Sequence, residues 1–492
     1  MIGSSETVEA VNQLRLIPEL IDERALKVMD RLEAAGYEGW LVGGSVRDNL
    51  LRRPLHDFDL TTNALPQEII ELFGNARCIP TGLKHGTVTV LSDGLPVEVT
   101  TFRQDRDYTD HRRPQTVLFS ANIQDDLARR DFTINAIAWS ARRGLFDPFG
   151  GRTDLQRGVI RAVGEPDRRF HEDALRILRA LRLSSELDFD IDPLTRQAML
   201  SRSHLLGFIS VERITQEVSR IILADPGRVW CRDQSIWGVI FPLLSETDWS
   251  QRCELSWESY CALPQTEAVR FPAFFLKLAA TVAYRSDLPE ESPDELQLLM
   301  VTDNDTISEF LRSLRLSNEQ NTHVLQTAGA VRELLNMIFD RRHAGHLRIR
   351  KPVILRRPEA TLSGASPLLS RQDADYEARL ARYGLRRVLR EFGEPAARAA
   401  CDILRILMQE NYADEWARLH AACSRVAQAS VPHKITDLSV NGEDIIRYGV
   451  RQGAEIGEIL RKLLEEVMAE NIPNERESLL QAVRDLLRYG AV

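Results

Sequence analysis

The stretch His56–Leu60, HDFDL, sets Asp57 and Asp59 one residue apart, a spacing at which two carboxylates can share a hard cation. On an extended strand, side chains at i and i+2 leave the same face. An all-oxygen donor pair suits Mg²⁺, and a two-ion site clamps the attacking and leaving oxygens of a phosphoryl transfer. A bare Asp-x-Asp is equally an ordinary polar strand end, so its surroundings must decide. Glu98 supplies a third carboxylate if its strand lies beside theirs. Such a cluster is costly without metal, because like charges at close range oppose one another's ionisation. Upstream, Gly43, Gly44 and Ser45 form a turn without bulky side chains, which lets the backbone approach a triphosphate. Arg47 follows and can neutralise phosphate charge. Gly-Gly, Arg and Asp-x-Asp together between Gly43 and Asp59 are far more specific than any one of them.

A second constellation lies further on. Asp173, Arg176, Arg179 and Arg182 recur every three residues and therefore share one helical face. A salt-bridge ladder on a solvated helix explains that spacing, and so does base recognition. Cytosine and adenine both present an exocyclic amino donor beside a ring-nitrogen acceptor, whereas uracil and guanine present a carbonyl beside an N–H. A carboxylate accepting from the amine and a guanidinium donating to the ring nitrogen would accept C and A and refuse U and G. Asp173 with Arg176 supplies that pair.

The elements that must hold these residues are legible in the pattern. Residues 22–36 have the spacing of an amphipathic helix, and GWLVGG reads as a buried strand entering a glycine turn. HGTVTVL and LPVEVTTF alternate and are rich in Val and Thr, as in paired strands joined by the turn SDG. LFDPFGG is a turn. From about Phe170 strand signals nearly vanish and apolar residues recur at helical spacing. The expected fold class is α+β, a small mixed-sheet head followed by largely α-helical domains. The expected division is a catalytic head over 1–150, a helical neck over 151–220, a helical body over 221–340, a basic linker or insertion over 341–372 and a helical tail over 373–492. The polar segment from Arg103 to Leu118 reads as a mobile loop. Its alternating Asp105, Arg106, Asp107, Arg112 and Arg113 suit a lever that exchanges ion pairs, and an ordinary surface connection is the plainer alternative.

Composition limits the function classes. The 492 residues exceed one ordinary core and call for several domains. Hydrophobic residues make up 43% and charged residues 27%, as in a soluble globular protein. No apolar run is long enough to cross a membrane, and the start lacks the basic and apolar regions of a signal peptide. Cys78, Cys231, Cys253, Cys261, Cys401 and Cys423 are scattered without a C-x-x-C pair, which argues against a zinc site or disulfide framework and for a reducing cytoplasm. A net charge of −9 does not advertise a nucleic-acid binder, but a phosphate site needs only a local positive field. The segment from Arg341 to Arg357 holds seven Lys or Arg and no acid, which fits either RNA contact or a solvated loop.

GGSVRD, HDFDL, PTGLKHGTVTV, EVTTFR and RRDFTINA, in that order, resemble the head of the polymerase-beta-type nucleotidyltransferases of the bacterial tRNA nucleotidyltransferase/poly(A) polymerase family, class II. FHEDALRILRALR and SVERITQE resemble that family's neck, and the segment beginning ITDLSVNGEDII resembles the tail of its tRNA-maturing members. The resemblance implies that Asp57 and Asp59 bind Mg²⁺ in a two-metal site, and that Gly43, Gly44, Arg47 and Arg130 contact the nucleoside triphosphate. It makes Glu98 the third carboxylate, orienting the metal cluster or helping to deprotonate the acceptor hydroxyl. It gives Asp173, Arg176, Arg179 and Arg182 to nucleotide recognition. The activity implied is template-independent addition of CMP and AMP from CTP and ATP to the tRNA acceptor end, building or repairing the 3′ CCA terminus. Addition of only the terminal A, less so of only CC, and poly(A) synthesis are the alternatives within the family, and an inactive RNA-binding relic is the alternative outside it. By the family pattern the Arg103–Leu118 loop, which switches the site from C to A, is full length. Apart from the resemblance, Arg129 and Arg130 can be a plain basic pair at a helix start that Asp131 caps. Leu183 stands where the family often has Phe, an expected change in stacking near the base.

Overall fold

The computed structural model describes residues 14–108, 114–230, 233–245, 258–283, 304–343, 384–407, 432–450 and 453–488. The chain divides into one unit of Met1–Gln251 with Ser313–Arg315 and a second of Arg252–Arg312 with Leu316–Val492.

The first unit begins with helix α1, Glu23–Ala34, whose N-terminus is capped by Asp22 accepting from the Arg24 amide. Ala25, Val28, Met29 and Leu32 recur along one stripe of α1 and are buried. Strand β1 (Trp40–Val42) then runs into helix α2 (Gly44–Leu50), followed by β2 (Asp59–Thr62) and helix α3 (Pro66–Phe73). Strands β3 (Cys78–Gly82), β4 (Thr87–Ser92) and β5 (Leu95–Thr101) complete one side of the sheet. Asp93 and Gly94 join β4 to β5 with φ of 47° and 84°, the left-handed pair that a tight two-residue hairpin demands. Val88, Val90, Val97 and Val99 alternate inward on that hairpin and are buried.

Strands β6 (Arg103–Tyr108) and β7 (Pro114–Phe119) pair antiparallel as a separate two-stranded ribbon, so the expected Arg103–Leu118 loop is largely strand. Tyr108, Thr116, Val117 and Phe119 favour strand, and the charges between them had masked that preference. Residues 109–113, and the side chains of the expected charge lever, lie outside the described residues.

Helix α4 (Ile123–Ala128) and strands β8 (Ala138–Ser140) and β9 (Gly144–Phe146) follow. The resulting seven-stranded sheet has the order β3-β4-β5-β2-β1-β8-β9. It is mixed: β2 and β5 are parallel, with Asp59 opposite Glu98, and the other neighbours are antiparallel. Trp40, Val42, Phe102, Leu127, Ala136, Ala138 and Val163 form a core cluster against it.

Helix α5 (Gly151–Arg157) leads through the two-residue strand β10 (Val159–Ile160) into the helical remainder of this unit. Helices α6 (Pro166–Glu172) and α7 (Leu175–Leu187) are broken at Asp173, which is extended with φ −144° and ψ 103°. Asp188, left-handed at φ 59°, ends α7. The two-residue strand β11 (Asp190–Ile191) pairs with β10, and helices α8 (Pro193–Arg202) and α9 (Val211–Leu223) follow.

In the second unit, helix Asn318–His343 packs on helices Glu267–Ala283 and Glu394–Leu407. Arg341 to His343, at the start of the expected basic linker, complete the long helix, and 344–372 lie outside the described residues. Near the C-terminus, helices Ala454–Met468 and Arg476–Arg488 enclose Ile459, Leu463, Leu479 and Val483. Among the described residues no helix is long and apolar enough to cross a membrane. The fold is the expected α+β: a mixed-sheet head and a helical remainder.

Candidate active site

Gly43 turns the chain from β1 into α2 with φ 72° and ψ −135°, a conformation in which side chains are rare. A Cβ placed there would stand 3.0 Å from Nη1 of Arg130 and 3.8 Å from Oδ2 of Asp59. Glycine, arginine and carboxylate therefore meet at one point.

Asp59 is the first residue of β2, but Asp57 lies in the loop before it, so the two do not share a regular strand as the spacing suggested. The cause is local. The Ser45 hydroxyl donates to the Asp57 carbonyl at 2.5 Å, tying that backbone to α2. Pairing with β5 begins one residue later, where the Glu98 amide donates to the Phe58 carbonyl at 3.1 Å. Burial pushes the Asp59 carboxyl above the usual aspartate range; Arg130 opposes the push and Asp57 adds to it. Glu98 is likewise raised by partial burial and by the charges of Asp59 and Asp57.

These shifts bear on a metal. None of the Asp57, Asp59 or Glu98 carboxylates accepts a hydrogen bond from another described residue. Asp57 and Asp59, with no protein donor on their oxygens and both lining the cleft, leave those oxygens open to a cation. Among the described residues no three acidic, His or Cys side chains converge tightly enough to hold an ion unaided. Asp57 and Asp59 thus offer the partial donor set typical of Mg²⁺ sites, which one or two carboxylates complete with substrate phosphate and water.

Arg47 is buried, with Nε and Nη2 on Asp48 at 2.9 Å each and Nη1 on Asn135 at 2.7 Å. Arg129 and Arg130 sit at the C-terminal end of α4, not at a helix start. Asp126, fully buried on α4, accepts Arg129 Nη2 at 2.6 Å and Arg130 Nη2 at 3.2 Å. Burial alone would raise the Asp126 carboxyl, yet the two arginines hold it below the usual range. Asp131 caps no helix; it accepts from Asn135 Nδ2 at 3.0 Å and Arg179 Nε at 2.7 Å. Burial works against its charge too, but Arg179 and Asn135 hold the carboxyl well below normal.

The neck residues converge on the same place. Asp173, at the break between α6 and α7, accepts from the Leu175 amide at 3.1 Å and from Arg213 Nη2 at 3.0 Å. Arg176 gives Nη1 to Glu172 and to the Arg169 carbonyl, both at 3.0 Å, and Nη2 to the Arg129 carbonyl at 2.8 Å. Of its five N–H groups two remain, one on Nη2 and one on Nε. Arg182 pairs with Glu217 at 2.6 Å and Glu186 at 2.8 Å. Leu183, seven residues after Arg176 and so on the same side of α7, is fully buried and is not among the residues that line the cleft.

One cleft of about 810 Å³ takes in these groups, from Gly43, Asp57 and Asp59 through Arg130 to Asp173, Arg176, Arg179 and Arg182. Glu98, the register partner of Asp59 on β5, is outside its lining. Nine arginines face six carboxylates around the wall, so a cleft in an acidic chain is locally positive. The sequence reading had not assigned Arg53, Asn135, Arg213 or Arg220, all of which line it. Arg213, Glu217 and Arg220 could have been found: their i, i+4, i+7 spacing puts them on one face of α9.

Residues 39–161 match the family described as poly A polymerase head domain, 188–245 that described as probable RNA and SrmB-binding site of polymerase A, and 376–483 that described as tRNA nucleotidyltransferase domain 2, putative. A CCA-adding enzyme of Lactobacillus delbrueckii subsp. bulgaricus is 34% identical over 93% of this chain and 96% of its own. This chain belongs to the CCA-adding enzyme family. A CCA-adding enzyme of Geobacillus stearothermophilus is 48% identical over 41% of this chain and 49% of its own length. The crystal structure of the Bacillus stearothermophilus CCA-adding enzyme in complex with CTP superposes with a TM-score of 0.65, at 27% identity, over 97% of this chain and 99% of that one. The family head, matched over 39–161, contains the glycine turn, both aspartates, Glu98 and Arg130. Asp173 and Arg176 lie between the matched segments, and the cleft brings them to the head.

Proposed function

We propose that this cleft is where CMP and AMP are joined to the tRNA 3′ end, with CTP and ATP as donors and pyrophosphate as the leaving product. The chain is a nucleotidyltransferase of the CCA-adding kind. The observation that carries the assignment of the site is that one cleft holds both the carboxylates Asp57 and Asp59 and the pair Asp173 and Arg176.

Asp57 and Asp59 would hold Mg²⁺, which when bound supplies charge neutralisation at the reacting phosphate and at the acceptor oxygen. Gly43 and Gly44 give the triphosphate a close approach to the backbone, and Arg130, held by Asp126, offers it charge-assisted hydrogen bonds. Arg47 braces the floor beneath the glycine turn through Asp48 and Asn135, and with three of its five N–H groups used it keeps one on Nη1 and one on Nη2 for the triphosphate. Glu98 raises the negative field behind Asp59 and orients the metal-binding end.

The incoming base is read by what Asp173 and Arg176 have left. Arg213 and the Leu175 amide fix the Asp173 carboxylate yet leave it acceptor capacity, and Arg176 keeps two N–H donors. One acceptor beside one donor matches the pairing edges of C and A and opposes those of U and G. Arg179 and Arg182, tied to Asp131 and Glu217, hold this face of α7 against the head and α9. The expected tail over 373–492 would hold tRNA by its shape, and a tRNA substrate fits a cytoplasmic enzyme.

The test offers the purified enzyme tRNAs ending before CCA and after CC, and an unstructured RNA, with CTP and ATP separately and together. The expected product is C, C, A on the first substrate. Growth only of the CC-ended tRNA, or long A tails on any RNA, would replace this reading by A-only addition or poly(A) synthesis.

A further inference from the structure

The cleft's charges are sorted in a way that nucleotide binding leaves unexplained. Seven of its nine arginines have a carboxylate partner: Arg47 on Asp48, Arg129 and Arg130 on Asp126, Arg176 on Glu172, Arg179 on Asp131, Arg182 on Glu217 and Arg213 on Asp173. Arg53 and Arg220 do not. Arg53 gives one N–H to the Glu186 carbonyl at 2.9 Å, and Arg220 has no hydrogen-bond or ion-pair partner among the described residues. Both side chains are exposed and both line the cleft.

Their position is as informative as their lack of partners. Asp173 pairs with Arg213 and Arg182 with Glu217, so α7 and α9 advance side by side, and the same succession carries Arg220 toward Glu186. The Glu186 carbonyl is where Arg53 is bonded. The two uncompensated charges thus lie at the C-terminal end of α7, three helical turns beyond Arg176, or about 15 Å by helical rise. From Arg53 the chain runs through Pro54, Leu55 and His56 to Asp57, lining the cleft throughout. Four residues span at most about 14 Å. A positive end and a carboxylate end are so joined by one short wall.

We infer that Arg53 and Arg220 form an anion subsite for the incoming RNA, binding a phosphodiester of the single-stranded tRNA 3′ end upstream of the hydroxyl presented to Asp57 and Asp59. This rests on the proposed function and names the part of the cleft that takes the second substrate. The triphosphate belongs at the other end, where Gly43 and Arg130 adjoin Asp59. An uncompensated arginine is also the cheaper one to commit, because no ion pair must be broken when phosphate arrives.

The test uses the full chain and tRNA lacking its CCA end, with Arg53→Ala, Arg220→Ala and Arg220→Lys. Because Arg53 also bonds a backbone carbonyl, Arg220→Ala is the decisive variant, and thermal unfolding of each checks folding. For each alanine variant KM for tRNA rises about tenfold, as for loss of a charge-assisted hydrogen bond, while KM for CTP stays as in the wild type. The plot of log Kd for tRNA against log salt loses about 0.7 in slope per arginine, and Arg220→Lys recovers most of that slope. A rise in KM for CTP with tRNA binding unchanged assigns the arginines to the triphosphate and overturns the inference. Unchanged tRNA binding and salt slope in folded Arg220→Ala also overturns it. Failure of the wild type to extend tRNA would instead remove the function on which it rests.

Discussion

Asp131 and Arg179 join the head to the neck: Oδ2 of Asp131 accepts Nε of Arg179 at 2.7 Å and lies 2.6 Å from Nη2. Asp131 belongs to the segment after α4, and Arg179 to the face of α7 that lines the cleft. The pair therefore fixes the distance between the Asp57–Asp59 end and the Asp173–Arg176 end of the cleft. Asp131→Asn keeps the shape but removes the nearer charge partner of the half-exposed Arg179, and should cost about 1–3 kcal/mol, as for loss of a hydrogen bond to a charged group. Urea unfolding reads the loss. Its pH dependence is a second check. The folded Asp131 carboxyl is depressed, so its contribution is fully present above the unfolded value near about 3.9 and is lost as pH falls through the folded one. The gap between wild type and variant should hold from neutral pH to about 5 and narrow only below about 4. A gap that closes between pH 7 and 5 would point to another group.

Gly43→Ala tests the meeting point of turn, arginine and carboxylate. Its backbone, φ 72° with ψ −135°, costs about 1–3 kcal/mol for a side chain, and the added methyl would press on Arg130 Nη1 at 3.0 Å. Arg130 cannot move away without leaving Asp126. The expected result is a rise in KM for both CTP and ATP of about tenfold or more, the loss of one charge-assisted contact, with tRNA binding in the absence of nucleotide unaltered. Gly44→Ala should be milder, since a Cβ there meets only Arg47 Nη2, at 3.6 Å. Equal effects at the two positions would reject the steric argument.

The sequence shows the head and the chemistry well because both rest on short-range rules. The hairpin of β4 and β5 follows from Val alternation around a left-handed turn, and α1 follows from its apolar stripe. What it hides is tertiary. Nothing in the spacing of Asp57 and Asp59 says that a Ser45 hydroxyl holds Asp57 off the strand. Nothing in the Asp173–Arg182 periodicity says that each arginine is already spoken for, by Asp131, Glu172 or Glu217 from three different segments. A salt-bridge ladder along a solvated helix is not what forms: these pairs run from α7 to other segments, Arg176 and Arg182 are buried, and the face still turns to the cleft. The β6–β7 ribbon was missed because charge alternation resembles a loop whenever the opposite strand is not known.

Removing one of the carboxylates proposed to hold Mg²⁺ separates chemistry from folding. Asp59→Asn should lower Mg²⁺-dependent incorporation by about a hundredfold or more. In metal-free buffer its melting temperature should equal or exceed that of the wild type, because a half-buried charge crowded by Asp57 and Glu98 has been neutralised. Adding Mg²⁺ should raise the wild-type melting temperature and leave the variant nearly unmoved, since only a bound ion stabilises the folded state. A variant that melts lower and still responds to Mg²⁺ would give Asp59 a structural role instead.

Base choice should depend on Arg176 in a way that stability alone does not reproduce. Arg176→Ala removes the N–H donors left for the base and also releases Glu172 and two backbone carbonyls, so some loss of stability, about 1–3 kcal/mol, is expected from the buried groups left unpaired. Discrimination is the sharper readout. With all four triphosphates offered singly, the preference for C and A over U and G should shrink by about 1–3 kcal/mol, the usual worth of a bidentate base contact. Arg182→Ala serves as the control: it breaks the pairs with Glu217 and Glu186 lower on the same helix face, destabilising α7 without removing a donor next to Asp173. If both variants lose activity equally while keeping the C and A preference, the guanidinium of Arg176 only holds the helices in place, and base reading belongs to another part of the cleft.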